Sequence, residues 1–159
     1  MGQVVSPDDA ALALRGLRTM GVRLARTTAS AIQIADWLQS RPEVSAVLCP
    51  MLPGAPGHEL WQRDFSGGCG LFTFTFRDAD KQARARFIDA LDLFGIGYSW
   101  GGYESLAIPA DPGRVRDFGA WQDGLDVGCG LGVRLAIGLE DADDLIEDLT
   151  RGFAAMGTQ

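Results

Sequence analysis

The sequence has few of the residues on which common catalytic and metal sites depend. Its 159 residues include one histidine and three cysteines, and no two cysteines are spaced as a CxxC pair. A histidine-based triad and a cysteine-rich zinc site therefore both lack their usual groups. An odd number of separated cysteines favours reduced thiols, and hence a cytoplasmic protein, over a disulfide framework.

Positive charge and long apolar runs are also scarce. Lysine and arginine total 14 against 21 acidic residues, which gives a formal net charge of -7. Such a surface repels phosphate groups, so we expect neither nucleic acid nor a membrane as a partner. No stretch is long and apolar enough to span a bilayer, and the N-terminus lacks the basic and apolar regions of a signal peptide.

What the sequence does contain is enough apolar material, 47 % of its residues, for the core of one domain over 1–159. The hydrophobic periodicity predicts an α+β fold: a mainly antiparallel sheet of about four strands with helices packed on one face. Residues 1–40 form a helical pair that leads into it. Helices are predicted at 8–24, 27–39, 79–94 and 140–153, strands at 44–48, 72–76, 104–108 and 133–139, and irregular connections at 50–57 and 111–132.

Arg134 is the most informative single residue. Alternation in the last predicted strand puts Val133 and Leu135 on one face and Arg134 on the other, between small residues. A guanidinium with room beside it suits a carboxylate, which arginine grips with two parallel hydrogen bonds. Residue type alone favours a solvated strand arginine or a structural salt bridge, because most arginines are exposed.

Residues 98–104 (YSWGGYE) are the second candidate. Two glycines let the backbone approach a ligand closely, and a hydroxyl and aromatic rings lie beside them. A glycine turn whose aromatic side chains pack into the core is an equally good interpretation. The spacing of the glycines matches neither a dinucleotide loop nor a phosphate loop.

Other polar residues have simpler explanations. His58 lies in a proline- and glycine-rich loop, and Cys69 has no nearby base, so neither is predicted to be catalytic. Lys81, the only lysine, lies on the polar face of a predicted helix without the desolvation that a Schiff-base lysine needs. The acidic residues at 140–144 complement the dipole of a helix start better than they suggest a metal site.

Four segments in order resemble the C-terminal part of the Cys/Met-metabolism family of fold-type-I enzymes, which use pyridoxal 5'-phosphate. The resemblance covers nearly the whole chain. Within the family, Trp100 in the third segment is similar to bacterial cystathionine β-lyases, whereas the γ-lyases and γ-synthases usually carry leucine there. The segments are 6–20 (SPDDAALALRGLRTM), 58–65 (HELWQRDF), 97–106 (GYSWGGYESL) and 133–141 (VRLAIGLED).

The resemblance implies β-elimination at the carbon–sulfur bond of L-cystathionine by a homo-oligomeric enzyme. Arg134 would grip the substrate α-carboxylate, and Ser99 and Trp100 would line the same pocket. The family's cofactor lysine lies in a large N-terminal domain, and no residue of this sequence matches it. We therefore expect the chain to be inactive alone, with no catalytic or cofactor-binding residue of its own. A fragment of a cystathionine γ-synthase, cystathionine γ-lyase or methionine γ-lyase, and a non-catalytic binding or assembly module, are the alternatives.

Overall fold

The fold is built on one sheet with helices against one of its faces. The computed structural model describes residue 2 and residues 4–111 and 131–157. In chain order, its elements are α1 (Pro7–Leu17), α2 (Met20–Gln39), β1 (Val44–Leu48), α3 (His58–Asp64), β2 (Leu71–Phe76), α4 (Lys81–Asp89), β3 (Gly95–Ile96), β4 (Leu106–Ala110), β5 (Gly132–Ala136) and α5 (Ala142–Met156).

Five strands of the described residues form the sheet, in the order β1-β2-β5-β4-β3. All neighbouring pairs are antiparallel except β3 with β4, which is parallel. The α+β class, the mainly antiparallel sheet and the helical cover on one face are thereby confirmed. The strand β3 was not predicted, because two residues are too few to show a periodic pattern.

Alternation along β2 and β5 decides which side chains enter the core. Phe72 lies opposite Leu135 and Phe74 opposite Val133, and all four side chains are buried. Residues directly opposite each other project to the same face of the sheet. Thr73 and Arg134, which also lie opposite each other, therefore project to the other face.

Three helices cover the apolar face. Their apolar stripes pack on the strands in a cluster that contains several aromatic rings, among them Phe87 and Phe153 with centroids 4.9 Å apart. Apolar side chains at helical spacing bury one stripe of each helix in this way. The buried helical residues of the cluster are Ala31, Ile34, Ala35, Leu38, Phe87, Ile88, Leu145, Leu149 and Phe153.

The N-terminal helical pair divides at a different point from the one predicted. Ser6 caps α1 as expected, by accepting a hydrogen bond from the Asp9 N–H at 3.1 Å. The break falls at Arg18 and Thr19, and not near Thr27, which is buried inside α2. Gly16 and Gly21 flank this break, and glycine weakens a helix locally. None of the side chains of α1 is buried.

Other element bounds also differ from the predictions. Residues 58–64 form the helix α3. This helix was not predicted, because it directly follows a proline- and glycine-rich loop. β4 begins at 106 instead of 104, and β5 covers 132–136 instead of 133–139. After β5 the Gly138 N–H donates to the Ser105 hydroxyl instead of to the backbone of a neighbouring strand. Most of the predicted connection at 111–132 lies outside the described residues.

The buried carboxylate of Asp148 explains why α4 ends at Asp89 instead of continuing to 94. Its two oxygens accept the backbone N–H groups of Asp92, Leu93 and Phe94 at 2.9, 2.8 and 3.2 Å. Arg151 donates to the same carboxylate at 2.6 Å. Asp148 thus ties α5 to the segment that leads into β3.

We expect Asp148→Asn to lower the free energy of unfolding by about 2–3 kcal/mol, because three buried or partly buried N–H groups lose a charged acceptor. Urea denaturation of the variant measures the change. Glu147→Gln, on the exposed neighbour in α5, is the matched control and leaves the midpoint nearly unchanged. Equal stability of the two variants would contradict the anchoring role.

Candidate functional site

The candidate site lies at the end of the sheet where β2 and β4 begin and β5 ends. Leu71, Ala136 and Leu106 lie side by side across these three strands. Arg134 lies two residues before the end of β5, between Thr73 and Ile108. Because Val133 and Leu135 enter the helical core, the Arg134 side chain emerges on the opposite face.

The structure brings Arg134 together with the predicted segment Ser99–Trp100. Its Nη2 donates to the Tyr98 carbonyl oxygen at 2.7 Å and lies 3.5 Å from the Ser99 carbonyl oxygen. The guanidinium carbon lies 5.4 Å from the Trp100 ring centroid and 5.9 Å from that of Tyr98. Rings at this distance attract the guanidinium through their negative faces. The Tyr98 and Trp100 rings are 80 % and 62 % exposed, so the interpretation of this segment as a core-packed turn is wrong.

The hydrogen-bonding capacity of Arg134 is only partly used. Its Nε is buried and finds no acceptor among the residues that the structure describes, and no carboxylate of the same residues forms an ion pair with it. A structural salt bridge, one of the ordinary explanations for this residue, is therefore not seen in the described part of the chain. A guanidinium that contacts only carbonyl oxygens and aromatic rings still has N–H groups with which to bind an added carboxylate.

A second arginine holds the other end of the same turn. Arg23, from the first turn of α2, donates through Nη1 to the Gly101 carbonyl oxygen at 2.9 Å. Gly101 has a φ of +78°, a left-handed conformation that favours glycine. Sequence reasoning missed Arg23, because its partner lies 78 residues away along the chain and no local pattern signals such a pairing.

A cleft of about 230 Å³ opens beside Trp100. The N-terminal half of α2, the start of β2 and the end of β5 form its walls, and Trp100 and Gly101 close one side. Its lining is mostly apolar. The wall residues are Met20, Arg23, Leu24, Thr27, Cys69, Gly70, Leu71, Ala136 and Ile137.

Glu140 fixes the chain where the turn enters β4. Its carboxylate accepts the Ser105 N–H at 2.7 Å and the Ser105 hydroxyl at 2.8 Å. A Cβ added at Gly138 would overlap the Tyr103 carbonyl oxygen, so this close approach requires glycine. The acidic residues at 140–144 thus have two roles. Glu140 holds Ser105, and Asp141 caps α5 by accepting the Asp143 N–H at 2.9 Å.

The remaining candidates lie elsewhere or have structural partners. His58 Nδ1 lies 2.8 Å from the Pro50 carbonyl oxygen, and its ring stacks on Trp61. Lys81 is exposed at the start of α4, in the helical layer. Across residues 4–111 and 131–157, no cluster of three or more His, Cys, Asp or Glu side chains is arranged to hold a metal. None of the described helices has both the length and the apolar character needed to cross a membrane.

Comparison with known proteins shows the family of this chain. The family model described as Cys/Met metabolism PLP-dependent enzyme matches residues 1–154. The chain belongs to this family. It is 46 % identical to the cystathionine β-lyase MetC of Escherichia coli, over 97 % of this chain and 39 % of that protein. The mouse cystathionine γ-lyase is 39 % identical over 98 % of this chain and 39 % of its own length.

A solved structure shows the same fold together with the cofactor. A Campylobacter jejuni protein assigned as an O-acetylhomoserine (thiol)-lyase superposes with a TM-score of 0.79 at 30 % identity. The match covers 96 % of this chain and 34 % of that one, which carries an N'-pyridoxyl-lysine monophosphate. This chain thus spans between a third and two fifths of the length of such relatives.

The described residues do not fit pyridoxal phosphate by themselves. The cofactor aldehyde needs a lysine amine, and the only lysine in the sequence is Lys81. Lys81 lies in the helical layer, whereas Arg134 emerges from the opposite face of the sheet. No step of a reaction is therefore assigned to the cofactor on this chain alone.

Two of the cysteines differ sharply in their surroundings. Cys49 is 1 % exposed, and burial raises the pKa of its thiol. Cys69 is exposed beside the cleft. A raised pKa leaves less thiolate at a given pH, and only the thiolate reacts.

We therefore expect an alkylating reagent near pH 8 to label Cys69 first and Cys49 only after unfolding. Peptide mapping by mass spectrometry measures each thiol separately. Labelling in urea is the control, since both cysteines then react. Equal rates for the two thiols in the folded chain would contradict the expected order.

Proposed function

We propose that this chain supplies the substrate-carboxylate site of a pyridoxal phosphate-dependent cystathionine β-lyase. The reaction is elimination at the β-carbon of L-cystathionine, which releases homocysteine, pyruvate and ammonia. Bound pyridoxal phosphate supplies the electron sink for such chemistry. The observation that carries the proposal is the guanidinium of Arg134, which has no acid partner in the described residues and an unused Nε–H beside the Ser99–Trp100 segment.

The role of Arg134 is to bind and orient the amino-acid end of the substrate. Its planar fork matches the two oxygens of an α-carboxylate, and the Tyr98 carbonyl fixes its Nη2 at 2.7 Å. Fixing the carboxylate limits the positions of the α- and β-carbons, which is how binding geometry lowers a reaction barrier. Ser99 and Trp100 line the pocket, with the indole against the guanidinium.

The alternative functions are those of the γ-lyases and γ-synthases of the same family, and that of a non-catalytic module. Trp100, together with the higher identity to the bacterial β-lyase, favours β-elimination. Identity of 39 % to the mouse cystathionine γ-lyase keeps γ-lyases and γ-synthases as the alternative. A non-catalytic module that binds amino-acid carboxylates or another protein is the other alternative, and the exposed position of Lys81 fits it and the enzyme fragment equally.

Cofactor binding and assembly complete the proposal. The cofactor lysine and the phosphate site belong to a large domain that precedes the present one. The present domain extends over 1–159 and begins with the helical pair at 1–40. The greater length of the relatives supports this arrangement. The partners are a small amino-acid substrate and further subunits of the same protein, in the cytoplasm, without nucleic acid or membrane.

The 159-residue chain alone is expected to give no absorbance of bound pyridoxal phosphate and no pyruvate from L-cystathionine, because Lys81 is wrongly placed for the cofactor. A hybrid in which the chain replaces the matching 39 % of the E. coli enzyme is expected to give both. Spectra with added cofactor and a coupled pyruvate assay measure the two properties. Robust turnover by the chain alone would contradict the proposed division of roles.

In that hybrid, Arg134→Ala is expected to raise the KM for L-cystathionine by about 100-fold, because the substrate carboxylate loses its charged partner. Arg134→Lys keeps the positive charge but cannot form two parallel hydrogen bonds. Its KM is therefore expected to lie between that of the unmodified hybrid and that of Arg134→Ala. Arg63→Ala is the control, since Arg63 is exposed and its one ion pair among the described residues is with the adjacent Asp64. Steady-state kinetics at constant cofactor occupancy measure KM, and an unchanged KM in Arg134→Ala would exclude the carboxylate role.

A further inference from the structure

Arg23 lies outside the proposed carboxylate site and donates one hydrogen bond to the turn that carries Trp100. All three guanidinium nitrogens are engaged, and all three acceptors are uncharged oxygens. Nη1 donates to the Gly101 carbonyl at 2.9 Å, Nη2 to the Gly16 carbonyl at 2.9 Å, and Nε to the Thr19 hydroxyl at 3.2 Å. No described carboxylate forms an ion pair with Arg23.

These acceptors belong to two places that are far apart in the sequence. Gly16 and Thr19 lie at the break between α1 and α2, and Gly101 lies in the turn that carries Trp100. α1 has no buried side chain, and Arg23 joins the break to the turn directly by hydrogen bonds to both.

The turn needs such a link because its own packing is weak. The Trp100 ring is 62 % exposed and contacts Arg134 at 5.4 Å. On one side of Trp100 the chain is held by the bond from Arg134 to the Tyr98 carbonyl, and on the other by the bond from Arg23 to the Gly101 carbonyl. Without the second bond, the indole has few contacts that keep it against Arg134.

We propose that Arg23 is a positioning residue for substrate binding: it fixes the turn 99–101, so that Trp100 stays against Arg134 and the guanidinium fork keeps its orientation. The inference rests on the proposed role of Arg134 as carboxylate binder. Arg23 itself uses its three nitrogens within the protein, so it acts through the turn and not by touching the substrate. Lysine has one nitrogen and cannot replace the three-way contact.

The first test uses the 159-residue chain, without cofactor. Two-dimensional NMR is expected to show that Arg23→Ala shifts the Trp100 indole N–H and the Arg134 Nε–H signals and that Arg23→Lys shifts them less. Arg26→Ala is the matched control: it lies one turn further along α2, is half-exposed, and pairs only loosely with Asp141, at 3.7 Å. Circular dichroism confirms that each variant keeps its helices.

The second test measures kinetics in the hybrid with the E. coli enzyme. Arg23→Ala is expected to raise the KM for L-cystathionine by about tenfold, as the loss of a charge-assisted hydrogen bond implies, with kcat reduced much less. Arg26→Ala leaves KM unchanged. In an Arg134→Ala background, Arg23→Ala adds less than about twofold to KM, because residues that act through one contact are not additive.

The outcomes separate this inference from the proposed function. If Arg134→Ala raises KM but the effect of Arg23→Ala multiplies with it, or if Arg23→Ala behaves as Arg26→Ala does in both tests, the positioning role is overturned and the carboxylate role stands. If Arg134→Ala leaves KM unchanged, the proposed function fails, and Arg23 then positions no substrate group, whatever the NMR spectra show.

Discussion

The hydrogen bond from Arg134 to the Tyr98 carbonyl is the contact on which the proposed site depends. It joins β5 to the turn before β4, at a distance of 2.7 Å, and it places the guanidinium against the Trp100 ring. The bond uses one nitrogen, and the buried Nε–H has no acceptor in the described part of the chain. A buried donor without a partner is costly, and an incoming carboxylate is the kind of group that removes this cost.

The rest of the domain holds the two sides of that contact in place. On the strand side, Val133 and Leu135 are anchored in the helical core, so Arg134 is forced to the opposite face. On the turn side, the Asp148 carboxylate fixes the chain at 92–94, and Glu140 fixes Ser105. Arg23 completes the support from α2. Charged groups thus fix an exposed turn that apolar burial alone does not hold.

Family membership and geometry contribute different parts of the functional argument. The family match shows the class of enzyme, and the geometry shows which side chains lie around the Arg134 guanidinium. Lys81 lies in the helical layer and Arg134 emerges from the opposite face of the sheet, so we propose a carboxylate site, and no cofactor lysine, on the described residues. In a division of this kind, one part of an enzyme orients the substrate and another part holds the cofactor that accepts the electrons.

The sequence by itself determined the fold class, the strands 44–48 and 72–76, and the face from which Arg134 emerges, because alternation and helical spacing are local signals. A resemblance carried by motifs also predicted a role for Ser99 and Trp100, which the structure places beside Arg134. The tertiary structure decided the break at 18–19, the end of α4 at Asp89, the strand β3, and the link from Arg23 to Gly101. The last three depend on contacts between residues distant in the chain, such as Asp148 with 92–94, and no local pattern encodes such contacts.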